Sequence, residues 1–374
     1  MNDSASSALP RRLLLGPGPS NVPASVREAL ARPLVGHLDP AFLEVMDRVQ
    51  ERLRRLLGTE NPLTLPLSAT GSAGMEACLC NLLEPGDDVV VGVAGVFGER
   101  MCDVAARVGA RVTRVETAWG TALDPEAMAD AVRRVRPRAV AFVHAETSTG
   151  VLQPVEEIAG AAREAGALVV LDCVTSLGGV PVALDAWGVD AAYSATQKCL
   201  SCPPGLAPVS FSERALARVR ARQRPVQSWY LDITLLAGYY AGGERVYHHT
   251  APISMVVALD EALRGIEAEG IEARARRHRE AAAALVEALA PLGFEPLVAA
   301  EHRLPPLTTL RLPAAVVERG EAALRRRLLE GHGIEVGGGL GKLAGAAWRV
   351  GLMGENARRE CVEHLRDALR AELG

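Results

Sequence analysis

Between about residues 65 and 215, short apolar runs alternate with longer stretches in which apolar positions recur at helical spacing. The runs 88–93, 111–115, 139–143, 168–171, 191–194 and 208–211 predict strands. The stretches 75–83, 100–108, 125–135 and 155–165 predict amphipathic helices. Near-continuous apolar strands joined by helices describe a mainly parallel α/β sheet covered on both faces. One connection departs from that pattern. The nine-residue stretch Lys198–Leu206 before the last strand is too short to hold the crossover helix and turns that a parallel pair needs, so this pair is expected to be antiparallel. Pro203-Pro204-Gly205 supplies its turn.

Residues 212–250 show an Arg-rich helical pattern followed by an aromatic-bearing segment. A helical stretch then runs from about Ile253 to Leu292 with a break expected at Gly270. A smaller α+β pattern follows: strands at 308–312 and 348–352, a helix near 321–329, and a last helix after Asn356. The boundary between the two domains is expected near 255.

A length of 374 residues suits two domains. The net charge of −4, with basic residues dispersed among acidic ones, gives no electrostatic footprint for nucleic acid. No apolar run reaches the roughly 18–20 residues of a membrane span. The polar start Met1–Ser7 lacks the apolar stretch of a secretion signal, so a cytoplasmic protein is expected. The seven cysteines then argue against a disulfide framework, and Cys199/Cys202 and Cys78/Cys80 lack interleaved histidines; no metal site is expected. Gly71–Gly74 and Gly337–Gly341 lack dinucleotide-fingerprint spacing, and Gly341-Lys342 continues as Leu343 rather than Ser or Thr, which fails the P-loop.

Lysine occurs only at Lys198 and Lys342, leaving 39 arginines among the 41 basic residues. Where surface charge is otherwise written as Arg, a lysine invites a role that a guanidinium cannot fill. Lys198 ends the segment Ser194-Ala195-Thr196-Gln197-Lys198, just past a predicted strand. Asp172 directly follows the strand 168–171, where a carboxylate faces the crevice at which open α/β sheets bind ligands. The segment Ser68–Glu76 runs small hydroxylated residues and glycines into a helix, whose free N–H groups suit a phosphate. A phosphate cup, a carboxylate for a pyridine nitrogen and a Schiff-base lysine are what pyridoxal 5'-phosphate requires.

At these residues the chain resembles the class V, fold-type I aminotransferases, in particular the alanine–glyoxylate and serine–glyoxylate enzymes. The motifs are Leu13–Asn21, Asn61–Leu65, Leu83–Asp87, Glu146–Pro154, Asp172–Gly179, Ser194–Lys198 with Pro203–Gly205, Tyr247–Thr250 and Arg349–Gly354. The resemblance implies an α/β fold, with a mainly parallel sheet carrying one antiparallel strand and a smaller C-terminal α+β domain. It implies a segment 1–22 near the active site, a pyridoxal-phosphate domain over 23–254 and a small domain over 255–374. Lys198 would bind the cofactor as a Schiff base, and Asp172 would pair with its ring nitrogen. Thr70, Gly71, Ser72 and Gln197 would hold the phosphate; Phe97 would stack on the ring, with Val174 and Thr147 also at the cofactor. Tyr247 and Thr250 would reach the phosphate of a neighbouring subunit, which implies a homodimer with shared sites. Arg349 would clamp the substrate carboxylate, and Gly18 would border the substrate.

The implied reaction is ping-pong transamination of a small amino acid, alanine or serine, with glyoxylate. A serine–pyruvate enzyme, and a class V lyase or cysteine desulfurase, are the alternatives. The desulfurase needs a cysteine on a mobile loop.

Overall fold

The computed structural model describes residues 9–240 and 245–374; the stretch Met1–Ser7 lies outside the described residues. In chain order the strands are β1 (Leu13–Leu15), β2 (Leu63–Leu67), β3 (Asp88–Val93), β4 (Arg111–Glu116), β5 (Ala139–Val143), β6 (Ala145–Glu146) and β7 (Val151–Leu152). There follow β8 (Leu168–Asp172), β9 (Ala191–Tyr193), β10 (Ala207–Phe211), β11 (Glu295–Pro296), β12 (Leu307–Arg311), β13 (Ile334–Gly338) and β14 (Ala347–Gly351).

Seven strands form one sheet in the order β2-β10-β9-β8-β5-β3-β4. Strands β4, β3, β5, β8 and β9 pair in parallel, while β10 runs against both neighbours, β9 and β2. The single reversed strand is the one that the short link after Lys198 predicts. Strands β5, β8, β9 and β10 are buried along their whole length, as their continuous apolar sequences require. At the outer edge, β4 has only exposed and half-buried positions and carries Arg111 and Arg114.

Elements not foreseen include β1, β6, β7, β11, β13, β2 and the helix Pro40–Leu57. Strand β2 contains Pro66, which interrupts its apolar run; an edge strand tolerates a residue without an amide N–H. The helix Pro40–Leu57 buries Phe42, Met46, Val49, Leu53 and Leu57 at helical spacing. Asp39 caps its start through the Ala41 N–H, and Gly58 ends it with a left-handed backbone.

Two expected helices begin a full turn early, at Gly71–Leu82 and Val96–Arg107. Their first turns, Gly-Ser-Ala-Gly and Val-Phe-Gly-Glu, carry little apolar pattern because they face a cavity rather than the core.

A second sheet has the order β1-β13-β14-β12-β11, with β1 parallel to β13 and the other pairs antiparallel. Leu15, Ile334, Trp348 and Val350 form its core with the helices Ile271–Leu289, Glu321–His332 and Arg359–Leu373. The N-terminal segment therefore contributes a strand to the smaller body as well as a link to the larger one. The helix Ile253–Glu269 buries Val256, Leu259, Leu263 and Ile266 in the core of the seven-stranded sheet. By packing, we propose the domain division at Gly270 rather than near 255.

Strand order reverses between β3 and β5, because β4 and β5 follow β3 on opposite sides. At such a switch point, a crevice opens beyond the carboxyl ends of the strands.

Candidate active site

A cavity of about 230 Å³ lies at those carboxyl ends. Nine residues singled out from the sequence line it: Thr70, Gly71, Ser72, Phe97, Thr147, Asp172, Val174, Gln197 and Lys198. Thr70 is the N-cap of the helix Gly71–Leu82 but makes no side-chain cap, so the helix presents its first N–H groups without a side-chain acceptor. Gly71 is required by close packing: a Cβ there would sit 2.8 Å from the Ala195 Cβ.

Asp172 is the last residue of β8 and is buried. Its Oδ1 accepts the Val174 N–H at 2.7 Å and its Oδ2 accepts the Tyr193 hydroxyl at 2.7 Å. Burial pushes its pKa up to about 7, against the pull of these two donors and of the Lys198 charge; Glu146 adds to the rise.

Lys198 leaves β9 through a loop whose backbone is fixed from the N-terminal segment. Ser20 donates its N–H to Gln197 O at 2.9 Å and its hydroxyl to Lys198 O at 2.8 Å. The Lys198 ammonium donates to Pro17 O. Burial lowers its pKa to about 8; the nearby Arg349 charge lowers it too, while Cys199 and Asp172 oppose the shift. Gly18 lies against this amine, with φ of +109° and space for no side chain, since a Cβ would meet Lys198 Nζ at 2.5 Å.

Arg349, in the middle of β14, is buried and does not itself line the cavity; it lies behind the wall residue Thr147, whose backbone carbonyl it bonds. Its Nε donates to Gly338 O at 2.8 Å and its Nη1 to Thr147 O at 3.3 Å.

Glu146, to which the sequence reading gives no role, ties these pieces together. Its buried carboxylate accepts the N–H groups of Ser148 at 3.1 Å and Gly98 at 3.3 Å, and Ser148 Oγ accepts the Val96 N–H at 2.9 Å. The pair caps the helix that carries Phe97, while Thr147 between them faces the cavity. An acid closing an apolar run without a basic neighbour is the sequence signal that could have found it.

Tyr247 and Thr250 are not brought to the cavity within this chain. Both are exposed and face each other at 3.5 Å across their hydroxyl groups. Next to them, His249 Nε2 pairs with Ser68 Oγ at 2.7 Å, two residues before Thr70.

The aminotransferase class-V family model matches residues 16–347. The chain belongs to the class-V aminotransferases. An alanine–glyoxylate aminotransferase of Drosophila melanogaster is 40% identical over 361 residues, covering 95% of this chain and 90% of the relative. An (S)-ureidoglycine–glyoxylate transaminase of Bacillus subtilis is 37% identical over 382 residues, covering 97% and 91%. The solved structure of an alanine–glyoxylate aminotransferase from Nostoc sp. matches with a TM-score of 0.96 at 50% identity, over 100% of both chains.

Class-V aminotransferases use pyridoxal phosphate with amino-acid and keto-acid substrates, and the cavity of this one fits that cofactor. The uncapped helix start offers N–H donors for a phosphate, and the Asp172 carboxylate offers an acceptor for a protonated ring nitrogen. The Lys198 amine, with its lowered pKa, offers a nucleophile.

Proposed function

We propose that this aminotransferase moves the amino group of a small amino acid, alanine or serine, onto glyoxylate, giving glycine and pyruvate or hydroxypyruvate. The observation that carries this reading is a small cavity with one reactive amine, and with Arg349 bonded to the backbone of its wall residue Thr147 as the carboxylate clamp. Arg100, the guanidinium that lines the cavity, is engaged 5.0 Å over the Phe97 ring, which leaves Arg349 as the clamp. The alanine–glyoxylate relatives support alanine as donor and glyoxylate as acceptor.

In this reading Lys198 holds the cofactor covalently, and Thr70, Gly71, Ser72 and Gln197 hold its phosphate. Asp172 faces the ring nitrogen, with Phe97, Val174 and Thr147 around the ring. Pyridoxal phosphate, when bound, supplies an electron sink that weakens the Cα–H bond of the amino acid. Arg349 binds the substrate carboxylate through its planar fork, orienting Cα toward Lys198. Once the donor amine has displaced it from the cofactor, Lys198 Nζ would accept the Cα proton and deliver it to the cofactor's reactive carbon, a task suited to an amine whose pKa lies near 8 rather than above 10. Donor and acceptor use the same clamp in turn, so the kinetics are ping-pong.

Ureidoglycine is a second candidate donor, supported by the Bacillus subtilis relative. Sulfur chemistry finds no support: no cysteine lines the cavity among the described residues, and burial pushes the Cys199 thiol up to about 12. We further propose a homodimer in which Tyr247 and Thr250 reach the partner's phosphate site. Exposed Leu34, Leu38, Trp229, Val246 and Tyr247 give an apolar surface for a second copy. No helix of the described residues is long and apolar enough to cross a membrane, which accords with a cytoplasmic enzyme.

The test is a panel of alanine, serine, ureidoglycine and cysteine against glyoxylate and pyruvate. Parallel double-reciprocal lines with alanine or serine and glyoxylate as the best pair are expected. Sulfide release from cysteine, or a clear preference for ureidoglycine, would displace this reading.

A further inference from the structure

Asp172 and Tyr193 are direct partners in the parallel pairing of β8 with β9, so their side chains leave the sheet on the same face. The phenol reaches the carboxylate with a 2.7 Å hydrogen bond, and both side chains are almost fully buried. The root of the tyrosine has little freedom, because a Cβ at Gly74 on the overlying helix would sit 3.1 Å from the Tyr193 Cβ. Tyr193 also lines the cavity.

We propose that Tyr193 is a positioning residue whose phenol keeps the Asp172 carboxylate charged and aimed at the ring nitrogen of the cofactor. The inference rests on the assignment of Asp172 made under the proposed function.

The physical need for such a donor is plain from the surroundings of the carboxylate. Glu146 on β6, Cys173 beside it and Cys78 on the helix Gly71–Leu82 offer it no positive charge. His144, the first residue after β5, is held neutral by burial, with its pKa lowered to about 4. Lys198 is the one nearby cation among the described residues that favours its ionisation, and it becomes covalently engaged when the cofactor binds. Burial would then leave the shared proton on the carboxyl group. Hydrogen bonds to the charged form oppose this, and apart from the Val174 N–H, the Tyr193 hydroxyl is the one made to a carboxylate oxygen. The phenol itself is driven well above its ordinary pKa by burial and by Asp172, so it stays a donor.

The experiment compares two probes on the apoprotein: pyridoxal phosphate, and its deaza analogue with CH in place of the ring nitrogen. Tyr193→Phe should weaken pyridoxal phosphate by about tenfold or more, as expected for a lost bond to a charged group. It should leave the deaza analogue's affinity unchanged. The acid limb of pyridoxal-phosphate affinity should move to higher pH, because losing a donor raises the carboxyl pKa. Equal losses for both probes would make the tyrosine a packing residue and overturn the inference, as would unaltered affinity for pyridoxal phosphate. Asp172→Asn separates the two layers. Strong loss there beside none in Tyr193→Phe removes this inference alone, whereas native affinity in Asp172→Asn removes the Asp172 assignment and the inference with it. Should Tyr193→Phe be insoluble, difluorotyrosine at position 193, a stronger donor, should move the acid limb to lower pH; no movement would overturn the inference.

Discussion

The two walls of the cavity are assembled on different scales. Asp172 ends β8 and Lys198 lies in the loop just after the adjacent β9, so both are placed by one sheet and both titrations are shifted by burial. The opposite wall joins residues from both ends of the chain: Gly18 just beyond β1, and Arg349 on β14 of the smaller sheet. What holds that wall is a series of bonds to backbone carbonyls, from Arg349 to Thr147 O, Ser20 to Lys198 O and Lys198 to Pro17 O. The first wall tunes charge by burial; the second sets position across a junction between two bodies. Changes to the first are therefore expected in turnover and cofactor capture, and changes to the second in substrate affinity.

The largest effect should come from Lys198→Ala, which removes both the proposed covalent anchor and the proposed proton carrier. Turnover should fall by ~10³-fold or more, and borohydride should trap no adduct at position 198. Full turnover, or an adduct at Lys342, would break the assignment of the first wall. Next comes Arg349→Lys, which keeps the charge but loses the fork. Its KM for carboxylate substrates should rise by ~10–100-fold, while affinity for pyridoxal phosphate stays as it was. An unchanged KM would put the clamp elsewhere.

A smaller and graded effect concerns pH. Only the neutral amine attacks the cofactor's aldehyde, and the Lys198 pKa lies near 8. Capture of pyridoxal phosphate by the apoprotein should therefore quicken as pH rises and level off above about 8, rather than above about 10 as for an ordinary lysine. Stopped-flow absorbance across that range decides it. The smallest change is expected from Glu146→Gln, which removes a charge felt by Asp172 on one wall and Arg349 on the other. It should cost about 1 kcal/mol of stability, the scale of a helix cap, and raise both cofactor Kd and substrate KM slightly. If only one of them moves, the walls are not coupled through this carboxylate.

Much of this was legible in the sequence for a definable reason. Continuous apolar runs gave β5 and β8, the short link after Lys198 gave the reversed β10, and the scarcity of lysine drew attention to Lys198. The early starts of the helices Gly71–Leu82 and Val96–Arg107 were hidden because their first turns serve the cavity and carry Gly, Ser and Phe instead of a core stripe. Tyr193 was seen only as a strand residue, since nothing in its local sequence says which residue of β8 it will face.

The sequence alone determined the class of sheet, the order of its elements and the chemical pieces for a pyridoxal-phosphate site, because burial periodicity, chain order and residue type act over short spans. The tertiary structure decided the strand register that sets Tyr193 against Asp172, the Glu146 cap on a distant helix, and the meeting of Gly18 with Lys198. Those depend on which distant segments pair and how closely they pack, and that is fixed only when the whole core closes.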